Sequence, residues 1–211
     1  MYDCIIFDVD GTLINTEQAV VSSYQRVIFE QFGRFFTEEE IFRNYSFPTN
    51  ERMEKFGITN VEEAVEKFHK YLMEAFCGVK PYEGILQLLE ILKQKKIAIG
   101  IVTARSKKEV DEDPCLQSIV KHFNYVICAD DTIKHKPDPE PLLRVIKEMN
   151  MNIFKTLYIG DTHSDYMCAV NSDVDFGLAL WGAKNTENIE AEYNFKEPAE
   201  ILEYVSTGPS L

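Results

Sequence analysis

Short apolar runs recur along the chain and predict the strands of one sheet. Five of them are rich in β-branched and aromatic residues and are nearly continuous rather than alternating, which is typical of parallel strands buried on both faces. They cover residues 4–7, 97–102, 125–128, 156–159 and 176–180. Helical patterns over 85–93, 107–122, 139–149 and 163–171 lie between the later runs. This alternation predicts a doubly wound α/β fold with a parallel sheet, whose strands all end at one ligand-binding edge.

A long segment between the first two runs breaks this alternation and contains helical patterns only. The helices are predicted over residues 17–32, 38–45, 50–56 and 61–76, and Thr37 with Glu40 forms a capping box at the start of the second. We therefore expect an α/β core domain of residues 1–14 and 81–211 with an all-helical domain of residues 15–80 inserted in it. The last residues, 206–211, are expected to form a loose tail.

Composition excludes several classes of protein. The net charge of −13 disfavours nucleic acid and anionic membrane surfaces as partners. No apolar stretch approaches the roughly 20 residues of a membrane span, and the acidic start argues against a signal peptide. The cysteines form no CxxC pair, so neither a disulfide framework nor a zinc site is indicated, and we expect a cytoplasmic protein. We expect all but Cys77 to be buried: Cys4, Cys115, Cys128 and Cys168.

Two carboxylates follow the first predicted strand. Asp8 and Asp10 are two residues apart in an extended chain and therefore project to the same side, while Gly11 permits a sharp turn. Adjacent carboxylates are costly unless a cation or a proton lies between them. An acidic strand end followed by an ordinary Asp-Gly turn is the structural alternative.

Polar groups also follow the second, third and fourth strands. Thr103 could bind a phosphate oxygen. The structural alternative is that Thr103 or Ser106 simply caps the following helix. Lys136 is kept on a loop by the proline after it, and could reach over the sheet edge or lie in solvent. Asp161 ends the fourth strand, and Asp165 lies one helical turn later on the same side. Each residue has an ordinary structural explanation, but together they indicate a phosphate and metal site.

This ordered set of motifs resembles the haloacid dehalogenase superfamily. The matching segments are Asp-x-Asp-Gly-Thr from Asp8, the Thr103 strand end, Lys-Pro-x-Pro from Lys136, and Gly-Asp-x-x-x-Asp ending at Asp165. Trp181 and the glycine after it also resemble the family. The helical insertion is similar to the cap domain of the phosphoglycolate phosphatase and β-phosphoglucomutase branch.

The resemblance implies a phosphatase that forms an aspartyl phosphate on Asp8. Asp10 would protonate the leaving group and then activate water, and its presence favours phosphoryl transfer over dehalogenation. Mg²⁺ would be held by Asp8, Asp161 and the Asp10 carbonyl oxygen. Thr103 and the Ala104 N–H would bind phosphate. Lys136 would offset the charge of the phosphoryl group, and Asp165 would orient either Lys136 or a metal-bound water.

Several alternatives stay open at this stage. A sugar phosphomutase would share the same core, and a phospho-receiver module would be a switch rather than an enzyme. Many relatives have Asp-Ser or Asp-Thr where this chain has Asn15-Thr16, which leaves the closure of the cap domain undefined. We expect a small phosphorylated metabolite as substrate, contacts from residues 44–50 of the cap domain, and a monomer or weak homodimer.

Overall fold

The computed structural model of the chain describes residues 1–43 and 49–206, and it divides into two compact units. One unit comprises Met1–Asn15 and Pro81–Leu211, and the other comprises Thr16–Lys80. Residues 44–48, which hold most of the loop expected to meet substrate, lie outside the described residues. None of the described helices combines the length and apolar character that crossing a membrane requires.

The first unit is built on a six-stranded sheet in the order β3-β2-β1-β4-β5-β6, with every neighbouring pair parallel. This confirms the predicted doubly wound α/β fold. All four residues of β1 are buried, because β2 and β4 flank the strand and both sheet faces are covered. The strands are β1 (Cys4–Phe7), β2 (Ala98–Val102), β3 (Tyr125–Ile127), β4 (Thr156–Gly160), β5 (Asp175–Ala179) and β6 (Tyr193–Phe195).

Nine α-helices lie within the described residues, and we number them along the chain. The second unit contains α1 (Glu17–Phe32), α2 (Glu38–Phe42), α3 (Thr49–Lys55) and α4 (Val61–Ala75). The first unit contains α5 (Ile85–Gln94), α6 (Lys107–Glu112), α7 (Pro114–Val120), α8 (Glu140–Glu148) and α9 (His163–Asn171). The predicted capping box of Thr37 and Glu40 begins α2.

The helical unit has an aromatic core of its own. Tyr24 is fully buried and packs edge-on against Phe56 and face-on against Phe68, which joins α1 to α4 and to the residue that follows α3. Arg52 donates a hydrogen bond to the Tyr24 hydroxyl at 2.7 Å. A separate buried cluster around β1 and β4 forms the core of the sheet unit.

The prediction of a single helix over residues 107–122 is wrong. The structure has α6 and α7, separated at Asp113, whose side chain caps α7 by accepting hydrogen bonds from the N–H groups of Cys115 and Leu116. The break follows from Pro114, which disfavours helical geometry at the preceding residue and suits the first helical position.

The last described residues differ from the prediction at two places. Strand β6 extends the sheet, although its three residues carry too short a pattern to be recognised in the sequence. Ser206, expected to begin a loose tail, donates its N–H to the carbonyl oxygen of Tyr2 at 2.9 Å. The rest of the predicted tail, residues 207–211, lies outside the described residues. The four cysteines expected to be buried are free and buried, as predicted.

Candidate active site

The carboxyl end of β1 brings Asp8 to the middle of the sheet edge. Its N–H donates to the carbonyl oxygen of Ile159 at 2.9 Å, so the neighbouring strand β4 fixes its backbone, and the residue is only 5% exposed. The ammonium of Lys136, 128 positions along the chain, donates to Asp8 Oδ1 at 2.6 Å and to Asp165 Oδ1 at 2.7 Å. Lys136 is therefore at the sheet edge rather than in solvent.

Three buried carboxylates meet at this edge. One oxygen each from Asp8, Asp161 and Asp165 lies within 4.8 Å of the others, a spacing that suits a divalent cation. Asp165 is already saturated: its Oδ1 accepts from Lys136 and Tyr158, and its Oδ2 accepts from the N–H and the hydroxyl of Thr162. A carboxylate offers about four lone-pair sites, so Asp165 has none left for a metal.

Asp8 and Asp161 keep oxygens that could bind a hard cation. Oδ1 of Asp8 accepts from Lys136 and Oδ1 of Asp161 accepts from the Thr12 hydroxyl at 3.0 Å, while the hydrogen bonds among the described residues leave Oδ2 of both unused. Two oxygen donors at a strand edge suit Mg²⁺, which also keeps waters and substrate oxygens in its shell. The residues present therefore fit this cofactor.

The electrostatics of the cluster favour a cation as well. Burial raises the pKa of Asp8 to about 7, against the opposing charge of Lys136. Burial, followed by the charge of Asp8, raises the pKa of Asp161 well above its usual range. Burial acts the same way on Asp165, but the charge of Lys136 and the hydrogen bonds from Lys136, Thr162 and Tyr158 together outweigh it and lower the pKa of that carboxyl. Of the three carboxylates, Asp161 is therefore the one whose negative charge is least offset by positively charged side chains.

Close backbone packing fixes the turn after β1. Gly11 has φ of +83°, and a Cβ there would lie 2.2 Å from Oδ2 of Asp161, so only glycine allows this approach. A Cβ on Gly182 would lie 1.7 Å from the carbonyl oxygen of Gly11. The indole N–H of Trp181 donates to the carbonyl oxygen of Thr12 at 2.9 Å. The Trp181–Gly182 pair thus holds the turn that carries Thr12 and, through it, Asp161.

The turn after β2 presents groups that could bind an anion. The Thr103 hydroxyl is buried and accepts the N–H of Arg105 at 3.2 Å, whereas Ser106 provides the cap of α6. The N–H of Ala104 makes none of the hydrogen bonds found among the described residues, and Ala104 is exposed. Thr103 is therefore not a helix cap, and the Ala104 N–H is available to a ligand. The cap of α9 is likewise Thr162 rather than Asp161.

Sequence reasoning missed Arg105 and Tyr158. Arg105 donates from Nε and Nη2 to the two carboxylate oxygens of Asp10, at 2.8 and 2.6 Å, and from Nη1 to Asp113 at 2.6 Å. The Tyr158 hydroxyl donates to Asp165 at 2.9 Å. A weak signal existed for Arg105, which lies two residues beyond Thr103 and so on the same side of an extended chain. Tyr158 could not be distinguished from a core aromatic of β4.

The family of the chain follows from comparison with known proteins. Residues 5–179 match the family model of haloacid dehalogenase-like hydrolases. The chain belongs to this family. The predicted superfamily is thereby confirmed, and the chain is an enzyme rather than a receiver module.

Individual relatives cover nearly the whole chain. A pyrophosphatase PpaX from Anoxybacillus flavithermus is 28% identical, with 96% of this chain and 93% of the relative aligned. A structure from Lactobacillus plantarum, provisionally assigned as a phosphoglycolate phosphatase, is 29% identical with a TM-score of 0.85, covering 97% and 99%. A Thermotoga maritima structure, provisionally assigned as a β-phosphoglucomutase, is 25% identical with a TM-score of 0.79, covering 96% and 99%.

Proposed function

We propose that the chain is a magnesium-dependent phosphatase that hydrolyses a small phosphorylated metabolite through an aspartyl phosphate on Asp8. The observation that carries this proposal is the setting of Asp8, whose carboxylate is buried at the end of β1 with Lys136 Nζ at 2.6 Å and Asp161 nearby. Membership of a hydrolase family and the phosphatase names of its relatives support the same activity.

Asp8 is proposed as the nucleophile and Asp10 as the acid and base. An Asp8 oxygen attacks phosphorus, the bond from phosphorus to the leaving oxygen breaks, and Asp10 gives its proton to that oxygen. Asp10 then takes a proton from water, whose oxygen attacks phosphorus and breaks the bond to Asp8. The side chain of Asp10 is 38% exposed, so it can exchange protons with substrate and water.

The remaining groups are proposed to bind the phosphoryl group and its charge. Thr103 and the N–H of Ala104 would donate hydrogen bonds to the transferring phosphoryl oxygens, and Lys136 would offset their negative charge. Asp165, saturated by donors including Lys136, would fix the position of that ammonium. Mg²⁺, held by Asp8, Asp161 and the Asp10 carbonyl oxygen, would neutralise charge that otherwise repels a phosphate dianion.

The finer assignments are part of the same proposal. Residues 15–80 would act as the cap domain that selects substrate, and the enzyme would work as a monomer or weak homodimer. A cytoplasmic location is supported by the four free, buried cysteines of the described chain. Pyrophosphate and phosphoglycolate, taken from the names of the relatives, are the first substrates to test.

Activity should be tested on a panel of phosphate compounds in the presence of Mg²⁺. The panel holds pyrophosphate, phosphoglycolate, hexose phosphates, nucleoside monophosphates and p-nitrophenyl phosphate, with release of inorganic phosphate as the signal. We expect release from at least one metabolite, and none from an Asp8→Asn variant purified in the same way. No release from any compound by the wild-type protein would contradict the proposed function.

The same panel separates hydrolysis from isomerisation. β-Glucose 1-phosphate with a trace of the 1,6-bisphosphate is followed by phosphorus NMR, and we expect inorganic phosphate to exceed glucose 6-phosphate. A mutase must hold a second phosphate with cationic side chains. Two arginines flank the loop expected to meet substrate: Arg43 pairs with Glu39, and Arg52 donates a hydrogen bond to Tyr24. Faster formation of glucose 6-phosphate would make the mutase the correct assignment.

Loss of Asp10 should depend on the leaving group. We expect Asp10→Asn to slow formation of the aspartyl phosphate about 10²–10⁴-fold with an alkyl phosphate, the usual size of acid catalysis. The penalty should be much smaller with p-nitrophenyl phosphate, whose leaving group needs little protonation. Rapid-quench measurement of the first turnover isolates this step. Equal penalties for both substrates would indicate that Asp10 acts in another way, such as placing the metal.

A further inference from the structure

Arg105 holds the carboxylate of Asp10 with two parallel hydrogen bonds. Nε donates to Oδ2 at 2.8 Å and Nη2 donates to Oδ1 at 2.6 Å, so the guanidinium plane fixes the plane of the carboxylate. The Arg105 side chain is only 6% exposed. With its donors turned to Asp10 and Asp113, this cation lies against protein carboxylates rather than on an open surface.

A second carboxylate anchors Arg105 from behind. Asp113 Oδ2 accepts from Arg105 Nη1 at 2.6 Å, and its side chain has no exposed surface. Oδ1 of Asp113 accepts from the first N–H groups of α7, those of Cys115 and Leu116. The start of α7 therefore fixes Asp113, and Asp113 in turn fixes the guanidinium.

The backbone of Arg105 is held as firmly as its side chain. Its N–H donates to the Thr103 hydroxyl at 3.2 Å, and its carbonyl oxygen accepts from the N–H of Ala129 at 2.8 Å. Arg105 is thus one rigid part of the turn that also carries Ala104. The proposed phosphate-binding turn and the proposed acid–base group are connected by a single side chain.

We propose that Arg105, anchored by Asp113, is a positioning residue that aims the Asp10 carboxyl at the leaving-group oxygen. The proposal rests on the acid–base function proposed for Asp10. Arg105 uses one lone pair on each Asp10 oxygen, and the others remain free to carry or accept a proton. Both hydrogen bonds can therefore persist when Asp10 is protonated, so the group keeps its direction through both steps.

Replacement by lysine separates the charge of Arg105 from its geometry. Lysine keeps the positive charge but cannot make two parallel hydrogen bonds to a carboxylate. Because a misplacement of about 1 Å can cost about 10²-fold in rate, we expect R105K to slow aspartyl phosphate formation roughly 10- to 100-fold with an alkyl phosphate. The loss should be several-fold smaller with p-nitrophenyl phosphate, and KM should change little.

Two further variants separate positioning from folding. D113N retains a cap oxygen for α7 while breaking the anchor, and we expect the same dependence on the leaving group as in R105K, with a smaller loss. In an Asp10→Asn background, R105K should cause no additional loss, because the group that it positions is already inactive. The matched control is R144K, since Arg144 donates to the backbone carbonyl of Asp131 outside the site and should retain wild-type rates.

Outcomes that contradict the proposal are distinct from failure of the proposed function. The proposed function is tested independently of Arg105: it holds if the wild-type protein releases phosphate and Asp8→Asn does not. R105K could slow the alkyl phosphate and p-nitrophenyl phosphate equally, or slow the Asp10→Asn variant further. Either result would mean that Arg105 acts on the phosphate-binding turn or on folding rather than through Asp10. A crystal structure of R105K gives a readout without turnover: we expect the Asp10 carboxylate to rotate, and an unchanged Asp10 would overturn the proposal.

Discussion

Asp8→Asn should reduce phosphate release below detection while the protein stays folded. The asparagine side chain has nearly the same shape, but its amide lacks the anionic oxygen that attacks phosphorus. The other members of the site keep their supports, because Lys136 still pairs with Asp165 at 2.7 Å and Asp161 still accepts from Thr12. The loss should therefore be chemical rather than structural.

The thermal stability of Asp8→Asn distinguishes a chemical loss of activity from a structural one. Burial already disfavours the charged form of Asp8 and raises its pKa to about 7, so a neutral amide relieves an unfavourable charge. We expect an unfolding temperature at or near that of the wild type, measured by circular dichroism. The matched control is Asp111→Asn on the exposed surface of α6, which should retain full activity. Measurable turnover by purified Asp8→Asn would show that Asp8 is not the nucleophile.

Removal of divalent metal should abolish activity and lower the stability of the folded chain. Asp8 and Asp161 are buried carboxylates within 4.8 Å of each other, and their repulsion is relieved when a cation binds. At Mg²⁺ a hundredfold above Kd, mass action contributes about 2.7 kcal/mol, or an unfolding temperature roughly 5–10 °C higher. Titrations of Mg²⁺ and EDTA, followed by activity and thermal unfolding, measure both effects.

The folding stability of the metal-free protein should depend on pH through Asp8 and Asp161. The pKa values of Asp8 and Asp161 are raised on folding, so the folded state binds more protons than the unfolded state. The contribution of these two carboxylates to stability without metal is therefore greatest at low pH, and for Asp8 it is lost as pH rises from about pH 4 through the folded pKa of about 7. Saturating Mg²⁺ should flatten this decline, since the metal favours both ionised carboxylates.

Asp161→Asn isolates the contribution of the metal site. This variant should be inactive, should lose most of its Mg²⁺ response, and should be more stable than the metal-free wild type at about pH 8 because a buried charge is gone. Asp130→Asn is the matched control: Asp130 is exposed, belongs to a separate acidic group near Cys128, and should leave the response unchanged. Full activity in excess EDTA, or an unaltered Mg²⁺ response in Asp161→Asn, would contradict the site.

Local sequence determined the layout of the α/β unit. Continuous apolar runs such as 4–7 have no polar face to expose, so they form strands inside a parallel sheet, and all five predicted strands are present. The polar residues that follow these runs share one edge because the strands are all parallel, so their carboxyl ends lie on the same side of the sheet. For that reason the sequence by itself predicts that Asp8, Lys136 and Asp161 meet.

Tertiary structure alone decided how the polar groups at that edge are paired. Arg105 and Asp10 are 95 positions apart, and nothing near either residue specifies their two hydrogen bonds. Asp165 has oxygens suited to a metal, yet donors from β4, from Thr162 before α9 and from the Lys136 loop occupy them. Residue types and their order along the chain are local information, which the sequence carries directly. Whether a carboxylate binds a metal, a lysine or an arginine depends on distances of a few ångströms between segments that only the folded chain brings together.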